Sequence, residues 1–327
     1  MRILISIYSD ISTWNIPDEE VARVRREFPR DDVVHARDAA ETVALAREAD
    51  VAYSSLIHRD ALAAASRLRW VHSPAAGIGS MLFPELIASP VILTNSRGLH
   101  GDAMAEHVIG VTIALLRKLP EAFAHQGAHR WGHEAMGAGE PLRLVKGSTF
   151  GVIGLGAIGS AVARIASAMG ATVEAIRRHP EHGAPEGVHA IYGPSQLAER
   201  LPQWDVVVLA APHTPETRGL IGAAQLSVMK PGAVLVNVGR GKLVKEADLA
   251  AALAARRIRA AALDVVEHEP LDPASPLWDL PNALITPHVS GLRADHWPRA
   301  TDLFIENLRR FQAGQPLLNV VDKRSGY

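Results

Sequence analysis

The sequence predicts an α/β protein built from two doubly wound parallel-sheet domains. Short apolar strands alternate with helical segments along the 327 residues, a pattern typical of parallel sheets with crossover helices. A glycine-rich turn with a helix after it lies near the middle of the chain, and another helical segment follows the last strand. We therefore expect residues 99–288 to form a domain inserted into a first domain that consists of residues 1–98 and 289–327.

The composition is that of a globular protein with no bulk charged surface. The chain is 48% hydrophobic and 21% charged with a formal net charge of −1, so nothing indicates nucleic acid as a partner. The absence of cysteine excludes disulfides and thiol nucleophiles. The first apolar run meets Asp10 too early for a signal peptide, and no apolar run is long enough to span a membrane. These features predict a soluble, cytoplasmic protein.

In the first part of the chain, apolar runs of strand length alternate with polar-faced helical segments. The predicted strands are 3–7, 50–53, 70–72 and 91–94, and the predicted helices are 18–28, 38–48 and 103–118. A stretch rich in Gly and His, roughly 125–147, is predicted as loop.

In the second part the alternation continues with more strands. The predicted strands are 149–153, 172–176, 205–210, 233–238, 260–263 and 283–286, and the helices include 246–256 and, after the last strand, 299–311.

The most informative motif is the G-x-G-x-x-G formed by Gly154, Gly156 and Gly159. It follows an apolar strand and opens a helix, which is the setting of a dinucleotide-binding Rossmann domain. The first glycine allows the tight turn, the second lets a pyrophosphate approach the backbone, and the third lets helix and strand pack closely. The helix N-terminus, with Ala157 and Ile158 in its first turn, offers N–H groups to the phosphates.

The residue after the predicted strand 172–176 bears on whether the cofactor is NAD or NADP. An acidic side chain usually stands about 20 residues after the glycines and holds the ribose 2′-hydroxyl of NAD. Here that place has Arg177, with Arg178 beside it. Two guanidinium groups suit a 2′-phosphate, which predicts NADPH as the preferred cofactor with NADH possible. The alternative is a solvated basic turn.

Three charged side chains follow successive strands of the second half. Arg240 lies between glycines after one strand, Glu269 follows the next, and His288 comes after a proline at the end of the third. Ligands bind at such strand ends in open α/β sheets. The arginine would hold a substrate carboxylate and polarise its ketone, the histidine would give a proton to the developing alkoxide, and the glutamate would keep the imidazole charged and oriented. Taken singly, each residue has a structural alternative. His288 could be a structural histidine with its hydrogen bonds satisfied, Arg240 a surface cation and Glu269 a solvated loop acid.

Several stretches together resemble the D-2-hydroxyacid dehydrogenase family, which includes glyoxylate/hydroxypyruvate reductases, phosphoglycerate dehydrogenases and formate dehydrogenase. The resemblance extends over essentially the whole chain, and five stretches carry it. They are Asn95–His107, Gly154–Gly159, Lys230–Gly241, Ala262–Pro270 and Thr286–Gly291. The resemblance implies a flavodoxin-like substrate domain, a homodimer whose interface includes the helix 103–118, and no metal.

The resemblance also implies roles for individual residues. Arg240, Glu269 and His288 would be the catalytic set, with Arg240 and His288 also contacting substrate. Ala76 and Gly77 match a loop whose N–H groups receive the substrate carboxylate. Cofactor contacts are implied for residues that follow the strands of the nucleotide domain. Besides the glycine motif and the two arginines, these are Pro212, His213, Thr217, Val238, Asp264 (near the nicotinamide carboxamide), Ser290 and Gly291.

The leading hypothesis is an NADPH-dependent reductase that converts a small 2-keto acid, such as glyoxylate or hydroxypyruvate, to a D-2-hydroxy acid. Two alternatives remain: NAD-linked oxidation of a D-2-hydroxy acid, as in phosphoglycerate dehydrogenases, and a non-enzymatic protein of the same fold that senses dinucleotides. His125, His129 and His133 have the spacing of metal ligands on a helix, but glycines inside the run favour a solvated or interface loop. Trp131 is a candidate interface or pocket-lid residue; Trp278 and Trp297 suit either a substrate pocket or a core.

Overall fold

The computed structural model describes residues 1–324 and 326. The chain divides into two compact units. We call Met1–Leu99 with Arg293–Tyr327 the discontinuous unit, and His100–Leu292 the central unit. Each unit has its own parallel sheet, of five and seven strands respectively, which confirms the predicted fold class. The assignment of one unit to substrate and the other to dinucleotide stays a prediction.

The discontinuous unit contains a sheet in the order β2-β1-β3-β4-β5, with every described strand pair parallel. This is the flavodoxin-like order. The strands are β1 (Arg2–Ser6), β2 (Asp32–His35), β3 (Val51–Ser54), β4 (Trp70–Ser73) and β5 (Ile92–Asn95). The helices are α1 (Asp18–Glu27), α2 (Ala39–Ala46), α3 (Arg59–Ala64), α4 (Pro84–Ala88) and α12 (His296–Gln312).

Apolar residues on both faces of this sheet form two clusters, as expected when helices cover both sides. Tyr53 and Trp70, both fully buried, stack on Phe304 of α12 with ring centroids 4.4 and 5.5 Å apart. The C-terminal helix therefore belongs to the core of the discontinuous unit.

The central unit contains the sheet β12-β11-β10-β9-β6-β7-β8, again parallel. Its strands are β6 (Thr149–Ile153), β7 (Thr172–Ile176), β8 (Ala190–Tyr192), β9 (Val206–Leu209), β10 (Val234–Asn237), β11 (Ala260–Leu263) and β12 (Ala283–Ile285). The order reverses between β6 and β9, which is the Rossmann switch point. The helices are α5 (Gly101–Leu116), α6 (Leu119–Gly127), α7 (His133–Gly137), α8 (Ala157–Ala168), α9 (Leu197–Arg200), α10 (Ala223–Val228) and α11 (Glu246–Ala254).

Three predicted strands, β6, β7 and β11, have the predicted bounds, and the other seven differ by one residue at one or both ends. The sequence analysis missed β2 and β8, which pair on one side only at the sheet edges. The loop predicted at 125–147 is wrong in part: α6 extends into it, and α7 lies inside it. The last helix begins at His296, before the predicted start at 299.

Within the described residues, no helix is long and apolar enough to cross a membrane.

Candidate active site

The glycine turn joins β6 to α8 with the backbone geometry that the motif requires. Gly154 has φ +97°, a conformation that side chains rarely adopt. A Cβ on Gly159 would lie 2.0 Å from the carbonyl oxygen of Gly154, so this position needs glycine for helix–strand packing. A Cβ on Gly156 would meet nothing within 4 Å, and Gly156 is exposed. The turn therefore leaves its central glycine and the start of α8 open to a pyrophosphate.

Arg177 and Arg178 directly follow β7, where a ribose-reading residue is expected. Nη1 of Arg177 donates to the carbonyl of Gly183 at 3.2 Å, and Nη2 of Arg178 lies 3.9 Å from a carboxylate oxygen of Glu216. The Arg178 side chain is about half exposed, at 49%. Both guanidinium groups are thus near a surface where an anion can reach them.

The loop after β9 contains three further candidate cofactor residues. The Thr217 hydroxyl donates to the carbonyl of Pro212 at 2.8 Å and accepts from the amide of Thr214 at 2.8 Å. Pro212 and His213 are exposed, whereas Thr217 uses its hydroxyl to close the loop. The contact of Thr217 with the cofactor stays a prediction.

Arg240 lies at the turn that follows β10. Asn237 fixes this turn, since its side chain accepts from the amide of Gly239 at 3.1 Å and donates to the carbonyl of Arg240 at 3.1 Å. Val238, another candidate, is buried in the turn. Desolvation by the surrounding protein lowers the pKa of Arg240, while the negative charge of Glu269 acts to raise it. Arg240 is nevertheless an exposed residue, so its charge faces a place that solvent or substrate can occupy.

His288 and Glu269 are in direct contact. Nδ1 of His288 lies 2.7 Å from Oε2 of Glu269, and the two side chains are 49% and 39% exposed. A carboxylate on one ring nitrogen orients the imidazole, and the other nitrogen, Nε2, remains for a reacting group. The structure therefore brings together the predicted acid–base pair, with Arg240 in electrostatic range of Glu269.

Asp264 is buried at the end of β11 and holds the segment that carries His288. Its carboxylate accepts from the Thr286 hydroxyl at 2.6 Å and from the amides of Val289 and Ser290 at 2.9 and 3.0 Å. Burial alone would raise the pKa of Asp264, but the hydrogen bonds from Ser290, Thr286 and Val289 outweigh it and lower the pKa. The sequence analysis assigned Asp264, Ser290 and Gly291 only to the cofactor and missed Thr286.

The loop after β4 in the discontinuous unit carries Ala76 and Gly77. The side chain of Asn95 donates to the carbonyl of Ala76 at 2.7 Å, and the amide of Ser96 donates to the carbonyl of Ala75 at 3.1 Å. These bonds fix the carbonyls; in the described part of the chain, the amides of Ala76 and Gly77 donate to no backbone or side-chain group. Their N–H groups are suited to an anion such as a carboxylate.

The three spaced histidines do not form one helical face. His125 is in α6, which ends at Gly127, while His129 has φ +53° and His133 begins α7. Within residues 1–324 and 326 no group of three or more His, Asp or Glu is arranged to hold a metal ion.

The three tryptophans lie in different settings. Trp131 is 94% exposed and Trp278 is 53% exposed. The indole of Trp297 is half-buried and donates to the carbonyl of Thr13 at 3.3 Å, within the discontinuous unit.

Comparisons with known proteins identify the family of this chain. Residues 109–290 match the family model of the D-isomer specific 2-hydroxyacid dehydrogenase NAD-binding domain. A glyoxylate reductase from Aeropyrum pernix is 35% identical over 290 residues, which is 85% of this chain and 84% of that protein. A D-3-phosphoglycerate dehydrogenase from Mycobacterium tuberculosis is 33% identical over 298 residues, 90% of this chain but only 55% of that protein.

Among solved structures, an NADPH-dependent glyoxylate/hydroxypyruvate reductase from Sinorhizobium meliloti, crystallised with NADP and sulfate, superposes with a TM-score of 0.82. It is 29% identical, and the match covers 100% of this chain and 99% of that one. The protein belongs to the D-isomer specific 2-hydroxyacid dehydrogenase family and is an NAD(P)-dependent oxidoreductase of 2-hydroxy and 2-keto acids.

Proposed function

We propose that this protein reduces a small 2-keto acid of the glyoxylate or hydroxypyruvate type to a D-2-hydroxy acid, with NADPH as cofactor and His288 as proton donor. The observation that supports this most is the 2.7 Å contact between His288 and Glu269 at the strand ends, with Arg240 in electrostatic range. An imidazole oriented by a carboxylate can protonate an alkoxide, and a nearby cation stabilises the negative charge that develops on its oxygen.

The residues around the glycine turn fit a dinucleotide, because a side chain at Gly156 would have open space and the first turn of α8 is accessible. Gly154, Gly156, Ala157, Ile158 and Gly159 would hold the pyrophosphate, and Arg177 with Arg178 the 2′-phosphate. When bound, NADPH supplies a hydride to the keto carbon. The remaining candidate contacts are Pro212, His213, Thr217, Val238, Asp264, Ser290 and Gly291.

The chain's own residues account for substrate binding and for the proton. The N–H groups of Ala76 and Gly77 would donate to the substrate carboxylate, and Arg240 would bind the substrate and polarise its carbonyl. Nε2 of His288 would donate the proton to the carbonyl oxygen, which becomes the hydroxyl of the product. Glu269, which contacts Nδ1 of His288, would orient the imidazole for this transfer.

The first experiment tests turnover and the role of His288. Purified protein with NADPH or NADH is assayed on 2-keto acids from glyoxylate to phenylpyruvate, and in reverse on D-2-hydroxy acids including 3-phosphoglycerate. His288→Asn should lower kcat about 10²- to 10⁴-fold and leave the Kd for NADPH nearly unchanged. His189→Asn, just before β8 at the opposite sheet edge, is the matched control.

Each alternative has its own outcome in this assay. Efficient turnover only with NAD and a hydroxy acid would assign oxidation instead. Dinucleotide binding without turnover of any acid would indicate a sensing protein. A His288→Asn variant with more than about half the wild-type kcat would remove His288 from the mechanism.

The second experiment tests cofactor choice. Two charge-assisted contacts on an exposed loop contribute about 1–3 kcal/mol, so kcat/KM with NADPH should exceed that with NADH at least ~10-fold at low salt. Replacing Arg177 by Asp and Arg178 by Ser should narrow or invert the ratio, chiefly through KM for NADPH. The same replacements at Arg256 and Arg257, after α11, are the control. Equal efficiency of wild type with the two cofactors would contradict the proposal.

We further propose a homodimer through the central unit. Three apolar side chains in and after α6 have large exposed fractions: Phe123 (66%), Trp131 (94%) and Leu144 (60%). Exposed aromatic and apolar side chains of this size are typical of an interface between proteins. A second copy of the chain, with the same surface related by a two-fold axis, is the proposed occupant.

A further inference from the structure

One helix of the central unit contacts both ends of the segment that carries the proposed proton donor. The catalytic segment, Thr286–Gly291, contains His288 in its middle. His100 directly precedes α5, and His107 follows seven residues later, two helical turns along the same side. The side chain of His107 meets Thr286 and that of His100 meets Gly291.

At the first end, hydrogen-bond donors and acceptors can be assigned. Asp264 is ionised and can only accept, so the Thr286 hydroxyl uses its proton on Asp264 Oδ1 at 2.6 Å. Nε2 of His107 lies 3.2 Å from that same hydroxyl oxygen and must therefore donate to it. The same nitrogen is 3.9 Å from Asp264 Oδ1.

At the second end, the partner is a backbone carbonyl. Nδ1 of His100 lies 3.0 Å from the carbonyl oxygen of Gly291. A carbonyl only accepts, so this nitrogen carries the proton. The two histidines thus use different ring nitrogens for their contacts, Nε2 at one end and Nδ1 at the other.

The segment between these contacts has a backbone that needs support. His288 has φ +53°, a left-handed conformation that is uncommon for residues other than glycine. Its amide donates to the carbonyls of Asp264 and Thr286, both at 2.9 Å. This conformation sets the direction in which the imidazole leaves the chain, so loosening either end would change where Nε2 of His288 points.

We propose that His100 and His107 are positioning residues that hold the catalytic segment at its two ends and so fix the proton donor. This inference rests on the proposed role of His288. Neither histidine transfers the proton itself; both act through the backbone and hydroxyl groups of the segment. Misplacement of a reacting group by about 1 Å costs up to ~100-fold in rate.

The test uses amides as substitutes for one ring nitrogen at a time. Glutamine places its NH₂ near the position of Nε2, and asparagine near that of Nδ1. His107→Gln and His100→Asn should keep kcat within about 2-fold of wild type, whereas His107→Asn, His100→Gln and the two leucine variants should lower kcat on the order of 10- to 100-fold. KM for the keto acid and Kd for NADPH should change much less than kcat.

Amide hydrogen exchange of the peptide that covers residues 286–291 gives a readout independent of activity. The leucine variants should lose protection there, and the matching amides should restore it. His189→Asn serves as the control in both measurements. If the leucine variants fail to fold, the difference in kcat between the Gln and Asn variants at each position still tests the positioning role. Equal kcat and equal protection for Gln and Asn at both positions would overturn the proposal.

Failure of the proposed function has a different signature. If wild type has no turnover, or if His288→Asn retains it, the role of His288 is wrong whatever the exchange data show. If wild type turns over, His288→Asn does not, and the leucine variants keep both kcat and protection, only the positioning role is wrong.

Discussion

At the scale of the residue, the proposed mechanism depends on the contact between His288 and Glu269. The two side chains are partly exposed, so water competes with the 2.7 Å hydrogen bond and screens the charges. Substrate and cofactor that displace this water would strengthen the interaction. We therefore expect the interaction between His288 and Glu269 to be strongest when both substrate and cofactor are bound.

The first prediction at this scale concerns Glu269→Gln. An ionised carboxylate holds a ring N–H more strongly than a neutral amide does, because a charge-assisted hydrogen bond is roughly twice as strong as a neutral one. Glu269→Gln should therefore lower kcat for keto-acid reduction on the order of 10- to 100-fold, with the Kd for NADPH nearly unchanged. Glu199→Gln, at an exposed residue of α9, is the control for the loss of one charge. A Glu269→Gln variant with the kcat of wild type would reject the pairing.

At the scale of the element, β4 shows how a strand can bury a titratable group without a charged partner. His72 is fully buried. Trp70 donates to the Thr94 hydroxyl oxygen at 2.8 Å, so that hydroxyl donates to Nδ1 of His72 at 2.7 Å, and the proton of the neutral ring is on Nε2. Nε2 faces the Ser96 hydroxyl at 3.4 Å. The ring is therefore held in its neutral form.

This burial predicts a pH-dependent stability. Desolvation lowers the pKa of His72 to about 3, whereas the ordinary value in the unfolded chain is near 6.5. Between these pH values the unfolded state binds one more proton than the folded state does. The contribution of neutral His72 to the free energy of unfolding is therefore complete above pH ~6.5. It falls as the pH falls, with a slope of up to about 1.4 kcal/mol per pH unit. Urea unfolding of wild type from pH 8 to pH 5 measures the slope. His72→Asn, although less stable overall, should have a shallower slope, and parallel slopes would contradict this account.

At the scale of the whole molecule, the proposed homodimer accounts for the exposed apolar side chains of the central unit. The predicted interface helix, α5, is itself largely buried, and α6 with the residues after it presents Phe123 and Trp131 to solvent. Such side chains are common anchors of interfaces. In the proposed homodimer, the Gly- and His-rich stretch at roughly 125–147 would place the side chain of Trp131 in the interface.

A charge in that surface should separate the copies. Phe123→Glu with Trp131→Glu would place unpaired carboxylates in an apolar interface, and we expect the dimer Kd to rise at least ~100-fold, equivalent to about 2.7 kcal/mol. Sedimentation velocity over a range of concentrations measures this change. Ile11→Glu, at a residue that is 55% exposed in the discontinuous unit, is the control. A wild-type protein that sediments as a monomer at all concentrations would refute the homodimer.

The sequence by itself determined the features that depend on neighbouring residues. The glycine turn from β6 to α8 was predictable because its strand, turn and helix are contiguous and each glycine has a local steric reason. The predicted bounds of β6, β7 and β11 agree with the structure because these strands are mostly buried and rich in apolar residues. The sequence also indicated that Arg240, Glu269 and His288 follow successive strands, although their roles stay predictions.

The tertiary structure decided what depends on distant partners. β2 and β8 are short edge strands whose pairing to β1 and β7 makes them strands, and α7 forms in a stretch that lacks a helical pattern. The contact of Glu269 with His288 and that of His107 with Thr286 join positions 19 and 179 residues apart. No local propensity encodes such distances; they are fixed only when β11 and β12 pair and α5 packs beside them, because packing chooses among the many conformations that the sequence allows locally.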